Sequence, residues 1–274
     1  MSHLMNNYGR LPVSFDHGQG VWLWDKEGHK YLDALAGIAV NSVGHAHPRL
    51  VRAIADQASK LIHCSNYFNI DLQEKVAEKL VEHSGLEAVF FCNSGLEANE
   101  CAIKIARKFG HAKGIEVPNI IVLKHAFHGR SIATLSATGN PSVREDFSPY
   151  TEGFIFVDES DLDGIRKIVE ENKNVVAIFF EPILGEGGVV PIDLSVIKGI
   201  REICDEHDLL MMCDEVQCGM GRSGKWFAHQ WAEIKPDVIT MAKGLAGGVP
   251  VSAVIVSEKA NIFKPVSYTH LRAH

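Results

Sequence analysis

Apolar positions along this chain change their period twice. Up to Asp33 the pattern is strand-like: Val13-Ser-Phe15, Val21-Trp-Leu-Trp24 and Tyr31-Leu-Asp33, with turns expected at Gly18-Gln-Gly20 and Lys26-Glu-Gly28. Short alternating pieces joined by glycine turns predict a small antiparallel meander. From Pro48 the spacing becomes helical, with Leu50, Val51, Ile54, Ala58 and Leu61 on one face and Pro48 suited to a first turn. Asp71 opens a second helix carrying Leu72, Val76, Leu80 and Val81. Beyond it, apolar strands alternate with amphipathic helices. The strands are Ala88–Cys92, Ile120–Leu123, Phe154–Val157, Val175–Phe180, Leu209–Cys213 and Val238–Met241; the later helices are Asp161–Glu171 and Leu194–His207. Runs that are apolar throughout mark strands buried on both faces. The expectation is therefore a doubly wound, mainly parallel α/β core from about residue 60, preceded by a small strand and helix segment.

Composition narrows the function. The chain has 274 residues, 46% of them hydrophobic, and a formal charge of -7, which argues against a nucleic-acid partner needing a clustered basic surface. No run of about eighteen uncharged apolar residues predicts a membrane span, and the polar stretch Met1–Arg10 lacks a signal core. Six cysteines without a C-x-x-C pair disfavour structural zinc and a disulfide framework, and suit a reducing cytoplasm. Of fourteen histidines, His45-x-His47 and His125-x-x-His128 are the best candidate metal pairs. Neither has an acidic or cysteine partner at ligand spacing, so they read as polar loop histidines and no metal is expected.

One glycine-rich stretch invites a nucleotide. Gly219-Met-Gly221-Arg-Ser-Gly224 fits G-x-G-x-x-G, and its continuation into Lys225 nearly fits a phosphate loop. A phosphate loop needs Ser or Thr after the lysine, where Trp226 stands. The dinucleotide fingerprint needs its glycines at the strand end, but Asp214-Glu-Val-Gln217 intervenes with two carboxylates. A turn that shapes a loop accounts better for these residues.

Four other segments lie at carboxyl ends of expected strands, where open α/β sheets bind ligands. Cys92-Asn-Ser-Gly95-Leu-Glu-Ala-Asn-Glu100 enters a helix through small residues; Asn93 or Ser94 can cap it, leaving the N–H groups of Gly95 and Leu96 for a phosphate. Phe127-His-Gly-Arg130 sets an aromatic that can stack on a planar ring beside an arginine that can grip a carboxylate. Asp214 ends a fully apolar strand, where a carboxylate is costly without a cationic or N–H partner such as a pyridinium nitrogen. Ala242-Lys243-Gly-Leu-Ala-Gly-Gly248 holds a lysine whose amine can condense with a carbonyl cofactor. Singly, each has an ordinary alternative: a capped helix, a core Phe with a surface Arg, a surface ion pair, a solvated loop lysine. Jointly they are the four contacts that pyridoxal phosphate (PLP) requires.

With these motifs the chain resembles a class III aminotransferase of PLP-dependent fold type I, closest in pattern to the acetylornithine-type members. The matching residues are Gly37-Ile-Ala-Val-Asn41, Gly44-His-Ala-His-Pro48, Asn93–Glu100, Phe127–Arg130, Glu181-Pro-Ile-Leu-Gly-Glu-Gly-Gly188, Asp214–Arg222 and Ala242-Lys-Gly244. The resemblance implies that Lys243 carries the cofactor and moves the proton, while Asp214 keeps the pyridine nitrogen protonated. It implies that Val216 packs on the ring face opposite Phe127, Gln217 approaches the phenolic oxygen, and Gly95 and Leu96 bind the phosphate. Arg130 then binds the substrate carboxylate, and Glu186 is the gate beside it. The implied reaction moves the amino group of N-acetylornithine, or N-succinyl-diaminopimelate, to 2-oxoglutarate in arginine biosynthesis. Ornithine and 4-aminobutyrate are alternative substrates within the class; a PLP-binding protein without turnover is the alternative outside it.

Two positions depart from the family pattern: Leu96 stands where Thr is usual, and Leu184 where Gln is usual. The expected organisation is an N-terminal segment of a small domain over residues 1–59 and a large cofactor domain over 60–265. The tail Val266–His274 resembles translated vector sequence, and the family's carboxyl-terminal small domain is expected to be missing. As it stands the chain is expected to fold poorly and be inactive, whereas the full-length protein would be a cytoplasmic homodimer.

Overall fold

A computed structural model describes residues 3–265, so the expectation for Val266–His274 lies outside the described residues. The chain divides into two units, Met1–Ile62 and His63–His274.

The first unit begins with the meander: β1 (Phe15–Gln19), β2 (Trp22–Asp25) and β3 (Lys30–Leu32), paired antiparallel in that order. The turn expected at Gly18–Gly20 is displaced, because β1 runs on through Gln19. Gly18 serves close approach instead: a Cβ there would lie 2.7 Å from His45 Cγ. Asp25 is buried at the β2–β3 turn, where its carboxylate accepts from the backbone N–H groups of Glu27 and His29 and from the Tyr31 hydroxyl. Asp25, Glu27 and His29 could be grouped around a cation, but Asp25 is already committed to organising this turn. Then follows a single turn, α1 (Ala36–Ala39), in which all four residues have positive φ, between 50° and 65°. The Asp33 carboxylate holds its start through Leu35 N and Ala36 N, and contacts His45 Nε2 at 2.6 Å. Helix α2 (Pro48–Ala58) starts at the proline, as its spacing predicts.

The second unit carries α3 (Asp71–Ser84), β4 (Ala88–Cys92), α4 (Gly95–Ala112), β5 (Asn119–Leu123), the short α5 (Ile132–Ala137) and α6 (Pro141–Arg144), and β6 (Phe154–Val157). It continues through α7 (Leu162–Glu171), β7 (Val175–Phe180), the small hairpin β8 (Ile183–Leu184) and β9 (Val190–Pro191), α8 (Leu194–Glu206), β10 (Leu210–Asp214), β11 (Val238–Met241) and β12 (Ser252–Val256). A 7-stranded sheet forms in the order β4-β12-β11-β10-β7-β5-β6. Every pairing is parallel except the two made by β12, which runs antiparallel to both β11 and β4. The periodicity of the chain did not isolate β12, which comes shortly after the glycine-rich loop 244–248.

Both faces of the sheet are covered, which is why its strands are apolar throughout. On one side Phe179, Met212 and Val254 pack with Cys101, Ala102 and Ile105 of α4. On the other, Ile178, Phe180 and Met211 pack with Ile165 and Val169 of α7 and with Ile197 and Ile200 of α8. Adjacent residues of β7 thus serve opposite layers, the period of two that a pleated strand imposes. No helix among the described residues is long and apolar enough to cross a membrane.

Candidate active site

The carboxyl ends of the parallel strands gather the polar residues. Register pairs Cys213 with Phe180, so Glu181 and Asp214 leave β7 and β10 side by side. Asp214 is paired with Thr240 on β11, two residues before Ala242 and the strand's exit to Lys243. Residues distant in sequence converge here because parallel strands all point the same ends to one edge.

Asp214 is 3% exposed, so it is not the surface ion pair that was its ordinary alternative. Its Oδ2 accepts from Asn99 Nδ2 at 2.7 Å and faces His128 Nδ1 at 2.8 Å; its Oδ1 accepts from Val216 N at 3.0 Å. His128 corrects an expectation: it is a buried residue stacked on Phe179 with ring centroids 4.1 Å apart, not a polar loop histidine. Asn99 and His128 were both missed as site residues. The usable signal was the buried strand end at Asp214, which requires donors that nearby sequence does not contain. Of the other paired histidines, His125 is exposed and lies 3.1 Å from Glu159 Oε2, while the half-buried His45 lies 2.6 Å from Asp33 Oδ2.

Lys243 is half-buried, with φ of 39°, at the start of a 3₁₀ turn. Its amine makes no hydrogen bond or ion pair to any described residue. Burial lowers its pKa below the ordinary lysine range, against the opposing charges of Asp214, Glu181 and Glu186. The direction favours the neutral amine. Glu181 moves the other way: burial, and then the neighbouring Asp214 charge, push its carboxyl up to about 8. Its two oxygens accept from Phe127 N at 2.9 Å and Gly185 N at 3.3 Å, so one side chain ties down both flanking loops.

Ser94 is the cap of α4, accepting from Glu97 N at 3.3 Å. The first N–H groups of a helix have no intrahelical acceptor, which leaves those of Gly95 and Leu96 directed outward. A Cβ on Gly95 would come within 2.6 Å of Val216 Cγ1, so glycine is what lets this helix start lie against Val216. Gln217 lies on Gly185, where a Cβ would meet its Oε1. Phe127 is partly exposed, with the exposed Arg130 guanidinium 5.6 Å from its ring centroid. Arg130 and Glu186 are both exposed, and no ion pair joins them among the described residues. The glycine-rich stretch from Gly219 to Gly224 forms turns, with Gly221 and Gly224 at positive φ, and Lys225 donates to Gln230 O at 3.0 Å.

The donor set suits a planar, charged, phosphorylated aromatic ligand. A buried carboxylate surrounded by donors has capacity left for a cationic N–H. A glycine-opened helix start supplies anion-binding N–H groups. A partly desolvated amine without a partner stands at the next strand end but one from Glu181.

Comparison with known proteins agrees with this arrangement. Residues 4–270 match the aminotransferase class-III family. The acetylornithine aminotransferase of Nitrosomonas europaea is 53% identical over 266 residues, which is 97% of this chain and 68% of that protein. That of Aquifex aeolicus is 46% identical over 270 residues. Among solved structures, the ornithine aminotransferase of Toxoplasma gondii superposes with a TM-score of 0.93 at 33% identity, covering 98% of this chain and 64% of its own. The N-acetylornithine aminotransferase of Stenotrophomonas maltophilia gives 0.80 at 39% identity, covering 92% of this chain and 64% of its own. The chain thus spans about two thirds of the length of the relatives it matches. By sequence and by fold, it belongs to the class-III aminotransferases.

Proposed function

We propose that the protein containing this chain transfers the amino group of N-acetylornithine to 2-oxoglutarate, using pyridoxal phosphate held at Lys243. The reading rests above all on the buried Asp214 carboxylate, ringed by donors, near a lysine amine that burial drives toward its neutral form. The relatives named for acetylornithine support the substrate.

Bound in this site, pyridoxal phosphate supplies an electron sink for the carbon that carries the transferred amine. Asp214 would hold the ring nitrogen in its protonated form. Val216 and Phe127 would confine the ring from its two faces, and Gln217 would approach the phenolic oxygen. Gly95 and Leu96 would donate their backbone N–H groups to the phosphate. Lys243 would serve as the attachment point and, when free, as the base that takes a proton from the amine-bearing carbon and returns it on the far side of the reaction. Arg130 would bind the substrate carboxylate in the planar, two-pronged manner of a guanidinium, with Glu186 adjusting its availability between the two half-reactions. All six cysteines are free thiols, which supports a cytoplasmic setting. The exposed Tyr67, Phe68, Leu72 and Val76 support a homodimer that covers them.

The test is borohydride reduction of the full-length holoenzyme followed by peptide mapping. The label should sit on Lys243, and Lys243→Ala should lose both the label and turnover; a label elsewhere sinks the assignment. A second reading, ornithine as amino donor, is favoured by the Toxoplasma superposition. Relative kcat/KM for N-acetylornithine and ornithine separates the two.

A further inference from the structure

Three elements meet at Asp214 through a closed ring of hydrogen bonds. Asn99 on α4 donates from one Nδ2 group to two acceptors, Asp214 Oδ2 and His128 O, each at 2.7 Å. His128, in the loop after β5, faces the same Asp214 oxygen through Nδ1 at 2.8 Å. Its backbone N–H is anchored in turn on Thr138 Oγ1 at 3.1 Å. Asn99 is 2% exposed and His128 1%.

Chemistry fixes the orientation of both side chains. A flipped Asn99 would point Oδ1 at a carboxylate and a carbonyl, two acceptors with no proton between them. An ionised Asp214 likewise accepts only, so the His128 proton resides on Nδ1, and Nε2, buried and without a partner among the described residues, is the bare nitrogen. Parallel stacking on Phe179 prevents the ring from tilting away.

We propose that His128 and Asn99 are positioning residues for cofactor binding: together they fix the Asp214 carboxylate so that its remaining lone pair faces a protonated ring nitrogen. This deepens the PLP reading above and rests on it. The two donors load Oδ2 and Val216 N loads Oδ1, so the carboxylate can neither rotate nor spend its charge elsewhere. Neither residue touches the reacting atoms. Outer-shell partners of this kind typically change ligand affinity by about tenfold to a hundredfold in metal sites, and a comparable loss is expected here.

The experiment uses the full-length protein with His128→Leu, His128→Asn and Asn99→Leu. In the cofactor-free form, ring ¹⁵N resonances should show His128 locked as the Nδ1–H tautomer, and Asp214→Leu should release it. In the loaded form, ¹⁵N-labelled PLP should report a protonated ring nitrogen in the parent. His128→Leu and Asn99→Leu should weaken PLP binding at least tenfold and shift that ring signal toward the unprotonated position. His128→Asn, which keeps a donor near Nδ1, should recover most of both. A His128 that exchanges tautomers freely, or a His128→Leu variant that only lowers Tm while keeping the parent's ring signal and Kd, overturns the positioning role. A locked His128 in a parent that does not bind PLP supports the fixing of Asp214 and instead overturns the function proposed above.

Discussion

Gly95 shows how one missing methyl decides a site. Val216 occupies the volume that a Cβ at residue 95 would need, with 2.6 Å to its Cγ1. Gly95→Ala must displace either the helix start or Val216, and overpacking of this kind costs roughly 1–3 kcal/mol. The expected outcome is a lower urea midpoint together with at least a tenfold weaker PLP affinity by fluorescence titration; an unchanged affinity would show that the helix start does not reach the phosphate. Legibility in sequence differed sharply between residues here. Lys243, Asp214 and Gly95 stand at strand ends in short motifs, so local pattern singled them out. His128 sits in one of those motifs, yet its surroundings read as a loop. Only the pairing of β5, β7 and β10 brings it under Asp214, 86 residues away in sequence, and no local rule sees that separation. Glu181 stands out in the sequence only as part of a matching motif; its raised pKa depends on burial, and then on a neighbour that the strand register supplies.

Elements that the sequence encodes by themselves were the ones it revealed. β7 and β11 begin and end where their apolar runs do, because burial on both faces leaves no polar position to blur the ends, and the half-buried edge strands β4 and β6 match their apolar runs as well. β12 stayed hidden because its place between β4 and β11, antiparallel to both, is decided by the sheet and not by its own residues. Helix ends offer a sharper test. α3 stops at Gly85, which takes the left-handed conformation at φ 68° and donates its N–H to Val81 O at 2.8 Å. A Cβ there would meet nothing closer than 3.9 Å, so Gly85→Ala pays no steric penalty beyond its own backbone. The conformational cost alone is about 1 kcal/mol. A denaturation series should show that loss with PLP affinity unchanged, whereas a loss beyond about 2 kcal/mol would mean that the end of α3 has rearranged. The turn α1 departs further from ordinary backbone preference. Ala36, Ile38 and Ala39 hold positive φ without being glycine, at roughly 1–2 kcal/mol each, and Asp33 holds that turn. Asp33→Ala should release it, seen as faster amide exchange at Leu35 and Ala36.

Over the whole molecule, the buried carboxyls shape how stability varies with pH. Glu181 ionises near 4.5 in an ordinary setting, and in the fold burial and Asp214 raise it to about 8. Between those values the folded state holds a proton that the unfolded chain has lost. Its contribution is therefore complete below about pH 4.5 and is lost as pH rises through about 8, at no more than about 1.4 kcal/mol per pH unit. Asp25 works at the other end. Burial acts to raise it, but the Tyr31 hydroxyl and His29 outweigh that and bring it to about 2. Its contribution is present above about 3.8 and disappears as pH falls toward 2. The two slopes have opposite sign and sit in different units of the chain, so they can be separated by substitution. With PLP removed, the urea midpoint should decline from pH 5 to 8, and Glu181→Gln should flatten that decline while leaving the acid limb intact. Asp25→Asn should do the reverse. If Glu181→Gln runs parallel to the parent across pH 5–8, Glu181 is already ionised beside Asp214. The two backbone donors at Phe127 and Gly185 would then govern that carboxylate more strongly than its burial does.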